Sequence, residues 1–120
     1  SVQKLKEENQ LEIRIEAERA RLYDPVYNRI EAWKSGKADD IRYLLSNLST
    51  VLTWCDWKQI DSSDLVMPKK VKIAYMKAVA KTHPDKIPSS LELEQKMIAE
   101  NIFSTLSEAW EKFKVDNNMN

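Results

Sequence analysis

The residues best equipped for chemistry lie together: the chain's only histidine, His83, is followed directly by Pro84 and Asp85 within "VAKTHPDKIP". An imidazole beside a carboxylate suggests a metal site or an acid–base pair; a proline between them suggests a rigid turn that offers a charge to another protein. A metal site needs further ligands at recognisable spacings, and the chain has no second histidine and one distant cysteine, Cys55. Acid–base catalysis by His83 oriented by Asp85 is chemically thinkable, yet no nucleophile motif, glycine-rich phosphate loop or oxyanion element accompanies the pair. The mechanical reading uses all three residues. Pro84 stops a helix and fixes the backbone, His83 can cap the last helical carbonyls at the negative helix end, and Asp85 presents a carboxylate suited to a partner's arginine. Neither a metal nor a cofactor is expected.

The elements that hold this triplet are helices. At 120 residues there is room for one core, and a single Gly with four Pro leaves little material for hairpins, so the class is all-α. A formal net charge of zero argues against broad nucleic-acid or anionic-membrane binding. One cysteine forms no internal disulfide, and no long apolar run or signal-like start is present; a reducing, cytoplasmic setting without a transmembrane segment is expected. Beginning at Ser1 rather than Met, the chain reads as part of a longer parent.

Residues 1–24 read as a charged helical arm or linker with a thin stripe of Leu11, Ile15 and Leu22. No heptad is sustained, which favours a solvated arm over a coiled coil. Asp24 is a candidate N-cap with Pro25 at the first helical position, opening a domain over 25–116 whose first helix carries Val26, Ile30 and Trp33 and stops at Ser35-Gly36. Asp39 or Asp40 can cap the next helical piece, in which Ile41, Leu44, Leu45, Leu48 and Leu52 keep core-facing spacing; the two pieces could form one bent element. The connection "WCDWKQIDSSDLVM" is long, and Trp54 and Trp57 are expected to fold over the core. A helix from Pro68 ends before Pro84, with Val71, Tyr75, Ala78, Val79 and Thr82 inward. Lys70, Lys77 and Lys81 gather beside that face, either as its wet flank or as a docking stripe. Ser89 and Glu92 form a plausible capping box for a last helix to about Val115, with Ile98, Ile102, Phe103, Leu106, Ala109, Trp110 and Phe113 buried. These two helices pair as an antiparallel hairpin with the triplet at its tip, and residues 117–120 are expected to be a disordered tail.

At these residues the chain resembles the J-domains of DnaJ-type co-chaperones. "AYMKAVAKTHPDKIP" is similar to that family's second helix and its His-Pro-Asp signature, and "NIFSTLSEAWEKF" resembles its third helix. "IRYLLSNLSTVLTWCDWKQIDSSDLVMPKKVK" is particularly similar to auxilins, those of fungi above all, and the resemblance runs from about Tyr27 to Phe113. It implies a J-domain fold with an auxilin-type long loop and an extra N-terminal helix. The implied partner is a heat-shock protein 70 (DnaK-class) chaperone whose ATP hydrolysis is stimulated. By this carry-over His83, Pro84 and Asp85 trigger hydrolysis, while Lys70, Lys77, Lys81 and Lys86 dock electrostatically. Auxilins act on clathrin coats, so uncoating of clathrin-coated vesicles is the implied outcome. The chain itself would do no chemistry and would sit on those vesicles peripherally. No coat-binding motif is visible, which places clathrin recruitment in other parts of the parent protein. Met76 stands where the family commonly has Arg or Lys, Met67 where a threonine cap is usual, and Thr82 where an aromatic often precedes the histidine.

Overall fold

The computed structural model describes residues 1–119, and its elements there are all helical. α1 spans Val2–Lys34, opened by Ser1, whose Oγ accepts the Lys4 N–H at 3.2 Å. The expected start at Asp24 is not found: Pro25 lies inside α1, which runs unbroken through it. A proline there deletes one backbone bond and costs about 3 kcal/mol in a helix interior. Val26, Ile30 and Trp33 are all buried, with Leu22 packed beside them, and burying each large side chain returns about 1.5–3 kcal/mol. A break at Pro25 would part that stripe from Leu22 and from Arg19, which pairs with Glu100 of the last helix. Arg21 and Pro25 are exposed, so the carbonyl deprived of its donor faces water. The arm of 1–24 is therefore the beginning of the helix that enters the core, and all of residues 1–17 are exposed.

α1 ends where two residues in a row take positive φ, Ser35 at 48° and Gly36 at 73°, closed by the Lys37 N–H on the Lys34 carbonyl at 2.7 Å. Gly36 fits as expected; Ser35 is the less common occupant of the left-handed region. This turn makes α1 and α2 (Ile41–Ser46) separate elements, with Asp40 capping α2 through its Oδ1 and the Tyr43 N–H at 3.1 Å. α2 continues into a 3-10 turn at Leu48–Thr50. Ile41, Leu44, Leu45, Leu48 and Leu52 are all buried, as their spacing predicts, and the Trp33 indole N–H reaches the Leu44 carbonyl at 3.1 Å.

α3 (Pro68–Thr82) and α4 (Leu93–Asp116) form the expected hairpin. Tyr75 stacks on Trp110 with centroids 4.8 Å apart, and Val71, Ala78 and Thr82 of α3 are buried, as are Ile102 and Leu106 of α4; Val79 is only half-buried. The cap of α4 falls three residues later than Ser89. Ser89 and Ser90 sit in a turn closed by the Leu91 N–H on the Pro88 carbonyl, leaving Glu92 as N-cap, its N–H held by Gln95 Oε1 at 3.3 Å. At the other end no free tail follows over 117–119. Asn118 takes a left-handed φ of 53°, its N–H bonds the Val115 carbonyl, and the Met119 N–H bonds the Lys114 carbonyl at 2.8 Å. That paired pattern is a Schellman cap, and Met119 packs on the core edge. Asn120 lies outside the described residues.

α1 runs parallel to α4. Arg19 pairs with Glu100 at 2.9 Å near one end, and Arg42 sits 4.9 Å over the Phe113 ring near the other. The short link from Lys34 to Ile41 could not cover that distance if α1 ran the other way, since an extended residue spans only about 3.3 Å. The hairpin tip and the free start of α1 are thus at the same end of the molecule.

Candidate functional site

Pro84 sets the local geometry. Its ring excludes helical backbone at the preceding residue, so His83 leaves α3 with φ −62° and ψ 136° while its N–H still bonds the Val79 carbonyl at 2.9 Å. Thr82 is buried, and its hydroxyl donates to the Ala78 carbonyl at 2.9 Å. A small β-branched residue is what this crowded last turn accepts. After Pro84 the chain folds back on the His83 carbonyl, which accepts from Lys86 N–H at 2.8 Å and Ile87 N–H at 3.2 Å.

The His83 side chain does not cap the helical carbonyls, as its position suggested. Its Nδ1 accepts the Asp85 backbone N–H at 3.1 Å. A backbone N–H only donates, so Nδ1 is the bare nitrogen and Nε2 carries the hydrogen. The ring also meets Phe103 of α4 edge-on, centroids 5.0 Å apart at 79°. One imidazole thereby ties α3, the turn and α4 together. The Asp85 carboxylate is 3.9 Å from Nδ1, too far for a hydrogen bond and facing a lone pair already used, and its side chain keeps 87% of its exposure. The turn is held by its backbone, and the carboxylate it projects is free.

Lys70, Lys77, Lys81 and Lys86 are all exposed, and among the described residues none has a carboxylate within ion-pair distance. Sequence reading missed that Lys69 and Lys72 flank the same helix, and that Ile73 and Met76 sit between the lysines 43% and 55% exposed. The signal was present as two large apolar residues off the inner face. Also missed was Arg42. From α2 it donates through Nε to the Leu65 carbonyl at 2.6 Å and through Nη2 to the Val66 carbonyl at 3.1 Å, pinning the long loop where it enters α3. This anchor replaces the side-chain cap that Met67 lacks. At the loop's other side, Gln59 donates to the Ser46 carbonyl and accepts from Ser49, both at 2.6 Å.

Within the loop, Ser62–Leu65 forms a 3-10 turn. Trp54, Cys55, Trp57 and Ile60 are half-buried against the core, as expected for the two tryptophans. The Trp57 indole nitrogen is sealed from solvent without a hydrogen-bond partner among the described residues. Burial pushes the Cys55 thiol above its ordinary range; the Lys81 ammonium opposes this and Asp56 adds to it. Among the described residues, no group of three His, Cys, Asp or Glu converges as a metal site would require.

No family model matches the chain. An auxilin-like clathrin uncoating factor of Saccharomyces cerevisiae is 71% identical over 99 residues, which is 82% of this chain and 15% of that protein. The chain is a J-domain of the auxilin family. This J-domain is also similar to auxilin-like protein 1 of Arabidopsis thaliana, 39% identical over 103 residues, 84% of the chain and 7% of that protein. A J domain-containing protein of Arabidopsis thaliana required for chloroplast accumulation response is 37% identical over 87 residues, 71% of the chain and 13% of that protein. The J-domain therefore spans 15% or less of the length of these relatives. Its hairpin brings His83, Pro84, Asp85 and Lys86 to one tip, with Lys70, Lys77 and Lys81 along α3 leading to it.

Proposed function

We propose that this J-domain docks on a heat-shock protein 70 (DnaK-class) chaperone through α3 and its tip, stimulates the chaperone's ATP hydrolysis, and so drives the uncoating of clathrin-coated vesicles in the cytoplasm. The observation that carries this reading is the outward carboxylate of Asp85, 87% exposed and without a hydrogen bond among the described residues, on a turn fixed by His83. A preorganised carboxylate loses little entropy when an arginine engages it and binds it bidentately. The chain performs no chemistry itself. It binds the hydrolysis-competent arrangement of the chaperone more tightly than the resting one, which is the only way a ligand can shift such an equilibrium. The unpaired lysines steer and orient the encounter with an acidic surface.

The clathrin part rests on the printed name of the yeast relative. That another relative is named for chloroplast accumulation supports a second reading, the same chaperone stimulation serving a different substrate. Among the described residues no helix is long and apolar enough to cross a membrane.

Asp85→Asn tests the tip. It keeps the backbone N–H on His83 and an exposed side chain of equal size, so stability should stay within about 0.5 kcal/mol. Single-turnover ATP hydrolysis by the chaperone should lose its stimulation. His83→Gln should also lose it, and additionally lower stability by about 0.5–1.5 kcal/mol because the edge-on contact with Phe103 goes. Undiminished stimulation by folded Asp85→Asn protein would remove the carboxylate from the mechanism.

A further inference from the structure

An open groove of about 840 Å³ lies between the long loop and α3. Trp57, Ile60 and Leu65 form its loop wall, and Ile73, Ala74 and Ala80 its helix wall, where two alanines leave the space empty. Lys58 stands on the loop rim and Lys70, Lys77 and Lys81 along the helix rim, against Asp56 and Asp64. None of the four lysines has an ion-pair partner among the described residues. An apolar floor beside a row of three helix lysines, with Lys58, Asp56 and Asp64 on the loop side leaving the lining net positive, is complementary to one chemistry: apolar side chains interspersed with carboxylates that face the helix.

The dimensions say what form that chemistry takes. From Lys70 to Lys81 the helix rises about 16 Å at 1.5 Å per residue, the length of about five residues of extended chain. In an extended segment alternate side chains point to opposite sides, so apolar residues can meet Ile60 and Ile73 while the intervening carboxylates reach the helix lysines. Lys81 is two residues from His83, so one end of the groove opens at the tip. The loop wall also carries the unpartnered Trp57 indole N–H, a cost that the free protein bears and that a small loop shift around an occupant's carbonyl would relieve.

We propose that this groove holds an extended, alternately apolar and acidic segment of about five residues, supplied by the same chaperone that the tip addresses. The choice of occupant rests on the function proposed above and on the continuity of groove and tip; the chemistry of the segment rests on the groove alone.

The probe is a capped hexapeptide of alternating Asp and Leu, titrated into the isolated chain and followed by the Trp57 indole resonance and the amides of residues 70–81. Wild type should bind it, more weakly as salt rises, and a peptide with Lys in place of Asp should not bind. Ser63→Trp, at an exposed position of the loop wall that leaves α3 untouched, should weaken peptide binding at least ten-fold; Lys58→Glu should do so too and guards against misfolding of the first variant. Ser63→Trp should also lower affinity for the chaperone several-fold while Asp85 and His83 remain in place. Failure of the acidic peptide to bind would overturn the groove's assignment. Peptide binding blocked by Ser63→Trp with chaperone affinity unchanged would overturn the chaperone as occupant, and a dimer abolished by Ser63→Trp would give the groove to a second copy. Full stimulation by Asp85→Asn refutes the tip instead, a result separate from any of these.

Discussion

Arg42→Ala is the sharpest test of how the long loop is held. The guanidinium makes two charge-assisted hydrogen bonds, to the Leu65 carbonyl at 2.6 Å and the Val66 carbonyl at 3.1 Å, and lies 4.9 Å over the Phe113 ring. A hydrogen bond from a charged donor contributes about 1.5–3 kcal/mol, and a half-exposed cation–π contact about 0.5–1 kcal/mol. The two carbonyls do not lose equally. Val66 is at the surface, where water replaces the guanidinium, whereas Leu65 is buried and its carbonyl would be left without a donor. The expected loss is about 3 kcal/mol, or roughly 10 °C in Tm for a domain of this size. Arg42→Lys keeps the charge but cannot reach both carbonyls in the fixed geometry of a fork, and should recover about half. The assay is urea unfolding with native-state hydrogen exchange. Exchange should rise first at the Asp64 N–H, held by Asp61, and at the Lys70 and Val71 N–H groups, held by Met67. Stability of Arg42→Ala within about 0.5 kcal/mol of wild type, or a uniform rise in exchange, would refute the clamp.

Pro25→Ala should stabilise the protein by about 1–3 kcal/mol, because it restores a helical donor at an exposed site and removes a ring from a helix interior; thermal unfolding that shows a loss would mean that the proline sets a bend the core depends on. Cys55 should react with a maleimide more slowly at neutral pH than a free thiol, since burial raises its pKa and reduces the reactive thiolate. Lys81→Gln should slow it further by removing the charge that opposes burial; an unchanged rate would show that the ammonium does not act on the sulfur.

Much of this fold was legible because its signals are periodic and local. Ile41, Leu44, Leu45 and Leu48 announce their burial by spacing alone, and Pro84 announces the end of α3. What escaped was decided by contacts distant in sequence. Asp24-Pro25 is a sound helix start by local rules, and it lost to contacts made before it, Leu22 on the core and Arg19 on Glu100 of α4, which continue the line of Val26, Ile30 and Trp33. Ser89 is a sound N-cap by local rules too, but the turn after Pro88 takes it first. Arg42 reads as the polar flank of a short helix until the carbonyls of Leu65 and Val66 arrive from the far end of the loop. Lys70, Lys77 and Lys81 were legible as a stripe, but not that Lys58 and the loop wall stand opposite them, because the course of an aperiodic loop is not written in any spacing.

The triplet was visible in the sequence, but the reason for a histidine in it was not. The structure puts three demands on that side chain at once. It must accept the Asp85 N–H, since this bond fixes the turn that aims the carboxylate. It must pack edge-on against Phe103, which fixes the turn to α4. It must also follow Thr82 and precede Pro84 in extended backbone while staying partly exposed. Phenylalanine satisfies the packing and accepts nothing; asparagine or glutamine accepts the N–H and has no ring to pack. An imidazole with Nδ1 bare meets all three. On this account His83 and Asp85 divide the work: the imidazole sets the geometry, and the carboxylate, which makes no hydrogen bond among the described residues, is what the geometry delivers.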